Sequence, residues 1–469
     1  MSARSTRRIA ALASLVFAPL TATSQADPAF KASTTNATAA NEFRIGVRDM
    51  QNLSLDAALQ HFQTAINADP NFGLARVLYA SFGPLTPQQV ETEANRAVAD
   101  AARANTNELV LAAAYREAAL GHNTAAAALF TAAAKMIPND PLVAWQAAGG
   151  FGAPITATRE FVASHPDYPL GYNTLAYQAW FDGDRAASLA AAKKQIEILA
   201  DAPNPYDTYA ELLQWSGDFA GAATQYRKAA ATAPRFPEAY AGLAEVAALQ
   251  GQYDQARTYL NQAIANSWTP RQKLGYMRQI VGTYALQGTS AADITRALEA
   301  AIAESKAQNV PKQTALLYSE LATVQANAGN VNAAHQSIAM ARAADKDVSW
   351  NVHYFGGMAH GLMKHWAPFG EELSAMKAQA AADPTVPAVF VKALEGYQLT
   401  QQGKPADALT VLMSADTTNV LIMSRIAEAH AAMGHADVAA AWNDRINKDY
   451  SLALGDFTNV NSRRRAARK

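Results

Sequence analysis

Residues of one kind return along this chain at an interval of 34. Tyr172, Tyr206 and Tyr240 keep it, as do Ala176, Ala210 and Ala244, and Gly183, Gly217 and Gly251. The second halves of these stretches agree: Ala222 with Ala256, Tyr226 with Leu260, Ala229 with Ala263. A unit this short cannot bury its apolar face alone, so the interval demands stacking on like neighbours.

One interval has a physical grammar. Tyr206, Tyr209, Ala210 and Leu213 recur at helical spacing. Gly217 then breaks the helix, because glycine accepts the backbone angles of a tight turn. A second helix is expected from about Phe219 to Thr232, with Ala222, Tyr226 and Ala229 on one face. Pro234 closes it, since proline lacks a donor and disfavours helical geometry before it. Alanine makes up about a quarter of the chain, which favours close-packed helices through its high helix propensity.

The pattern resembles the tetratricopeptide repeat (TPR), a helix–turn–helix unit of 34 residues with small residues, an aromatic and a terminal proline. Further units are read at Gly46, Ala58, Phe62, Ala65 and Pro70, and at Ala114, Gly121, Ala126, Phe130, Ala133 and Pro138. Others follow at Tyr318, Leu321, Ala322, Gly329, Ala334, Ile338 and Ala341, and at Gly396, Gly403, Ala408, Leu412 and Ala415. A last one holds Ala427, Gly434 and Ala439. Stretches 71–106, 139–168, 271–314 and 349–388 depart from the family pattern. The fold class this implies is all-α: a right-handed α-solenoid of roughly eleven or twelve helical pairs over 42–455. Such an array propagates one core, so it forms one elongated body where length alone would suggest about three globular domains.

The flanks read differently. Arg4, Arg7 and Arg8 precede the apolar run Ile9–Leu20, and small residues surround a cleavage point after Ala26. This is the pattern of a secretory signal peptide over 1–26. It places the mature protein in the periplasm or outside the cell. Residues 27–41 are expected as a flexible leader, and 456–469 as a frayed basic tail. Gly149-Gly-Phe-Gly152 is expected to interrupt the helices rather than cradle phosphate, because it follows a helix and not a strand.

Charge and composition exclude several functions. Without 1–26 the chain has 36 basic against 40 acidic residues. An acidic body lacks the basic face a nucleic-acid surface needs. No later apolar stretch reaches membrane-spanning length. With no cysteine there is no disulfide, thiolate ligand or thiol nucleophile. The G-x-S-x-G, H-E-x-x-H and G-x-x-x-x-G-K-[ST] signatures are missing, and Ser374-Ala-Met-Lys377 lacks the partners an S-x-x-K enzyme requires. One constellation keeps a metal-dependent enzyme open as the alternative: His353, His360 and His365, followed by Glu371 and Glu372. Against it, Gly356-Gly357 is expected to break the helix face between them.

The favoured reading is an exported, non-catalytic scaffold with no cofactor, no catalytic residue and no metal. In the TPR family the first helix of each pair lines a concave groove that binds segments of other proteins. Carried over by position, this resemblance implies groove residues Glu108, Tyr115, Asn173, Tyr177, Trp180, Asp207, Glu211, Gln214, Glu238, Glu245, Tyr397 and Glu428. An acidic groove with aromatic members suits a basic or amphipathic polypeptide. The Lys/Arg/Asn-rich groove with which chaperone-type members grip a terminal carboxylate is not evident. Plainer alternatives are a solvated helix face and a structural spacer in the cell envelope.

Overall fold

The computed structural model describes residues 32–85, 87–383, 386–451 and 454–467, so the expected signal segment lies outside the described residues. Helices α1 (Ala37–Gln51) and α2 (Leu55–Ala68) open the chain, followed by α3 (Gly73–Phe82), α4 (Pro87–Ala104), α5 (Thr106–Ala119) and α6 (Asn123–Met136). Next come α7 (Pro141–Ala147), α8 (Ile155–Ser164), α9 (Pro169–Phe181), α10 (Arg185–Ile198), α11 (Pro203–Trp215) and α12 (Phe219–Thr232). The array continues through α13 (Pro237–Leu249), α14 (Tyr253–Ala265), α15 (Pro270–Gln287), α16 (Ala291–Ala307), α17 (Pro311–Asn327) and α18 (Val331–Ala344). It ends with α19 (Trp350–Leu362), α20 (Trp366–Ala382), α21 (Ala388–Gln401), α22 (Pro405–Met413), α23 (Val420–Ala432), α24 (Ala436–Asn447) and α25 (Phe457–Ala467). No strand occurs among the described residues. Within them, eleven packed helix–turn–helix pairs stack into an α-solenoid, interrupted by α7 and α8, which do not pack as a pair, and α25 stands apart from the pairing.

The sequence interval becomes packing. Ala176, Ala210 and Ala244 are fully buried where paired helices meet, as are Ala222, Ala256, Ala229 and Ala263 on the second helices. Small residues there let backbones approach, while Tyr226 and Leu260 fill the same relative position. Tyr206 and Tyr240 also repeat a role: each hydroxyl donates to the carbonyl six residues earlier, Ala200 at 2.8 Å and Pro234 at 3.0 Å. At the turn, Gly217 takes φ +85°, a left-handed conformation that costs other residues energy. Asp218 then caps α12 by accepting from the Gly221 N–H at 2.8 Å. Pro203 and Pro237 begin first helices, where the missing N–H costs nothing.

Three of the stretches outside the repeat pattern are helical pairs too, α3/α4, α15/α16 and α19/α20, whereas in the fourth α7 packs on α6 and α8 on α9. Gly356-Gly357 does not break α19, which runs through both. A Cβ at Gly356 would lie 2.9 Å from the Glu372 carboxylate, and one at Gly357 3.0 Å from Leu394. These glycines permit close packing rather than ending the helix. At Gly149–Gly152 the helices are interrupted by a short 3-10 turn between α7 and α8, as expected.

Both flanks differ from the reading of them as loose. Asn36 caps α1 at Ala39 N (3.1 Å), so the helix starts inside the stretch assigned to a leader. Thr34 donates to Asp69 at 2.6 Å and Asn36 to the Ala68 carbonyl at 2.8 Å. At the other end α25 packs against α15, α23 and α24. Val460 and Ser462 are fully buried, and the Arg463 guanidinium donates to the carbonyls of Ile446 (3.2 Å) and Asp449. Arg463 and the apolar residues before it are thus held by hydrogen bonds and packing.

Candidate functional site

First helices of successive pairs touch along one side, α11 with α13, α13 with α15, α17 with α19 and α19 with α21. Equivalent positions thus become spatial neighbours at intervals of 34. Tyr177 donates to Glu211 at 2.5 Å, and Gln272 to Glu238 at 2.7 Å, both across that interval. Gln214 donates to Glu245 at 3.1 Å and accepts from Tyr226 at 3.3 Å. The inner face of α11 and α13 therefore gathers Asp207, Glu211, Glu238 and Glu245 around a tyrosine and glutamine framework.

Like charges held between protein walls resist ionisation. Burial pushes the Glu238 carboxyl up to about 7. Burial also pushes Glu245 up to about 7, with the Glu211 charge adding to the shift and Gln214 opposing it. Asp207 is raised well above the usual carboxylate range by burial and then by Glu211, Glu238 and Glu245. Each of these four acids still keeps part of its surface open to water. These acids form a reservoir of negative charge that is only partly expressed near neutral pH.

An aromatic wall adjoins it. Trp215 lies 5.9 Å from Tyr177, 5.5 Å from Trp180 and 6.0 Å from Phe181, ring centre to ring centre. Phe181 is 77% exposed, far more than any other large apolar side chain described. The Arg185 guanidinium covers Trp180 at 3.5 Å. Sequence reasoning missed Trp215 and Phe181 because both stand at helix ends, off the inward positions that the family pattern supplies.

The chain's own end crosses this face. The Tyr450 ring packs edge-on against Phe219 at 5.1 Å, and its carbonyl accepts from Gln214 at 3.3 Å. The Leu454 N–H points to Glu245 at 3.4 Å, and its side chain is buried among Ala244, Ala247, Ala248 and Tyr276. The Leu454 carbonyl rests on Gly282 of α15, where any Cβ would collide with it. Helix α25 continues with Phe457 facing Phe355 at 6.5 Å, and the Arg463 charge reaches Glu245.

Of the twelve residues assigned to the groove, Tyr177, Asp207, Glu211, Gln214, Glu238 and Glu245 come together, with Trp180 in the adjoining wall. The others do not join them. Glu108 is buried and accepts from the Ser33 N–H at 2.5 Å. Tyr115 is core, edge-on to Phe130 at 5.0 Å, and Asn173 is buried, donating to Thr208 at 2.9 Å. A first helix has a buried edge as well as an open one, and these three fall on the buried edge. Tyr397 and Glu428 instead surround Arg425, which donates to Glu428 at 2.7 Å and sits over the Tyr397 ring at 4.6 Å. Arg425 lines a cavity of about 260 Å³ with Tyr354, Phe355, Met358 and Phe457.

The expected histidine set is rearranged. His353 pairs with Glu372 at 2.6 Å, and Glu372 is also bound by Arg342 at 2.5 Å. His360 and His365 meet His335 instead. Burial lowers the His360 pKa, with His335 and His365 adding to the effect and Glu372 opposing it. His335 was invisible to sequence reasoning because it belongs to the preceding pair.

Among the described residues no helix is long and apolar enough to cross a membrane. No curated protein matches the sequence. Solved structures similar to this chain include the following three. A thermophilic TPR protein of Thermus thermophilus is 22% identical, covering 36% of this chain and 97% of its own, with a TM-score of 0.32. PilF of Pseudomonas aeruginosa is 16% identical over 46% of this chain and 92% of its own, with a TM-score of 0.33. Yeast Tom70 is 12% identical over 84% and 89%, with a TM-score of 0.46. The family model of the tetratricopeptide repeat matches residues 216–267, the stretch that holds α12, α13 and α14. That stretch therefore carries a tetratricopeptide repeat, and the helical pairs on both sides share its construction.

Proposed function

We propose that this protein is an exported, non-catalytic scaffold that binds a basic, amphipathic segment of another polypeptide on the inner face of α11 and α13. One observation carries the reading: Tyr450 and Leu454, from a later stretch of the chain, already dock there. Their backbone groups meet Gln214 and Glu245, Leu454 fills an alanine-lined recess, and Arg463 brings positive charge. A partner would place apolar side chains on the wall of Tyr177, Phe181 and Trp215 and cations beside Asp207, Glu211 and Glu238. Aromatic anchors of this kind carry much of the energy of an interface, while opposite charge speeds and orients the encounter. Export rests on the basic, apolar and small-residue regions of 1–26.

The test is partner capture from the native cell envelope with the full-length protein. Glu211→Lys with Glu245→Lys is expected to abolish capture while circular dichroism stays unchanged. Gly282→Ala, which displaces Leu454, is expected to increase it by freeing the face. Undiminished capture by the folded double variant would refute this groove. N-terminal sequencing of the mature chain is expected to begin at Asp27.

A further inference from the structure

The histidines that the groove does not use share one edge of the solenoid. His360 lies in the last turn of α19, and His365 stands immediately before α20. The turn between them is closed by the His365 N–H donating to the His360 carbonyl at 2.8 Å. His335 comes from α18, the second helix of the preceding pair. Its ring is 5.1 Å from that of His365 and nearly parallel to it, and 5.6 Å from that of His360. One ring nitrogen from each of the three lies within 4.8 Å of the other two.

A second observation points to a ligand. His360 is only 5% exposed, yet its Nδ1 is buried without any hydrogen-bond partner. A buried polar atom left unpaired is costly and calls for an explanation. The neighbouring groups do not supply one, because both Glu372 oxygens are engaged, one by Arg342 and one by His353. Glu372 still lends its negative charge to the surroundings of His360, against the positive charge of Arg342.

We propose that His335, His360 and His365 bind one Zn²⁺ ion, joining two successive helical pairs. Three neutral imidazoles suit a borderline divalent cation, and zinc accepts three protein nitrogens with a fourth position left open. Tetrahedral bonds of about 2.0–2.1 Å bring donor nitrogens to roughly 3.3 Å from each other. The contraction needed falls on His335, which is exposed, and His365, which is half-buried, so rotation of two surface rings suffices. His360, the buried member, is the fixed ligand.

The molecule contains its own control. His430 and His435 repeat the same spacing at the turn between α23 and α24, with Nδ1 atoms 3.4 Å apart. There the position equivalent to His335, counted from the preceding turn glycine (Gly403 in place of Gly329), is Leu409. A pair without its third nitrogen is a weak zinc site.

The experiment is calorimetric titration of the untagged, chelator-stripped mature protein with ZnCl₂, repeated with CoCl₂ to read the cobalt absorption bands. One tight equivalent is expected, with intense bands typical of a low-coordinate cobalt site. His335→Ala and His365→Ala should each weaken it roughly tenfold or more, and His360→Ala should remove it. His353→Ala and the double variant His430→Ala/His435→Ala should leave it in place. His335→Ala keeps the test sound if His360→Ala fails to fold, because His335 is on the surface. The proposal is overturned if no tight equivalent binds, or if affinity is unchanged in His335→Ala or falls only with the His430/His435 pair.

Discussion

Between α9 and α14 the ladder Tyr177, Glu211, Glu245 advances by 34 residues a step, with first helices of 13 residues each. From α15 to α20 the rhythm is lost, and most helices lengthen to 17 or 18 residues. The two regions solve the placement of charge in opposite ways. A regular array puts equivalent residues side by side, so an acid at one position meets the acid of the next unit. The irregular region sets unlike residues against each other: Arg278 on Glu320, Arg342 and His353 on Glu372. Regularity gathers like charges on one surface, and irregularity neutralises itself.

The sharpest way to break that comparison is to remove one partner of a neutralised pair. Glu320 is 1% exposed, and burial raises its pKa even with Arg278 beside it. Arg278→Met strands this acid and is expected to destabilise the protein by roughly 3–5 kcal/mol, as for other broken buried pairs. Arg278→Met with Glu320→Leu should restore most of the loss. Glu211→Gln, the matching change in the regular region, should alter stability by less than about 1 kcal/mol, since Tyr177 keeps an acceptor. Chemical denaturation at pH 7.5 reads all three; equal losses in the two regions would erase the distinction.

A smaller effect separates the regions by pH. Glu238 and Glu245 titrate near 7 in the fold against an ordinary value of 4.5. Between those values the folded chain binds more protons than the unfolded one, so stability falls as pH rises. The contribution is fully present below about pH 4.5 and lost by about pH 7. Each carboxyl keeps part of its surface in water, so the loss is on the order of 1 kcal/mol per group. Glu238→Gln and Glu245→Gln should flatten thermal midpoints measured from pH 5 to pH 8. Glu372 has the opposite sign: burial alone would raise its pKa, but His353 and Arg342 outweigh that and lower it. Its stabilisation is lost only on acidification below the usual carboxylate range.

This division also decides what could be read in advance. The alanines, turn glycines and tyrosines of α9–α14 declare their places because the interval forces each into one role. The acids of α11 and α13 come together for the same reason. What the interval cannot carry is contact between unequal units. His335 with His360, Arg425 beneath Tyr397, and Leu454 against Gly282 each join residues with no fixed separation. The arginines of 456–469 suggest a solvated tail, because a run of charge hides the few apolar residues that anchor it: Phe457 and Val460. The histidine cluster differs from the expected set at one member, since helical spacing links His353 to His360 whereas stacking brings in His335.

The turns offer the finest test. In the regular region Gly183, Gly217 and Gly251 take φ of +89°, +85° and +74°. Between α19 and α20 the same position holds Lys364 at φ +60°, a left-handed conformation costing a side-chain-bearing residue about 1–2 kcal/mol. Lys364→Gly relieves that strain but frees the unfolded chain, which returns about 0.4–1 kcal/mol. The net expectation is stabilisation of about 0.5–1 kcal/mol, measured with chelator present so that His365 binds no metal. Gly434→Lys, at the equivalent turn between α23 and α24 with φ +79°, should cost a similar amount. Opposite signs at two turns of the same shape would place the difference in backbone conformation alone, since no side chain lies within 4 Å of a Cβ added at Gly434.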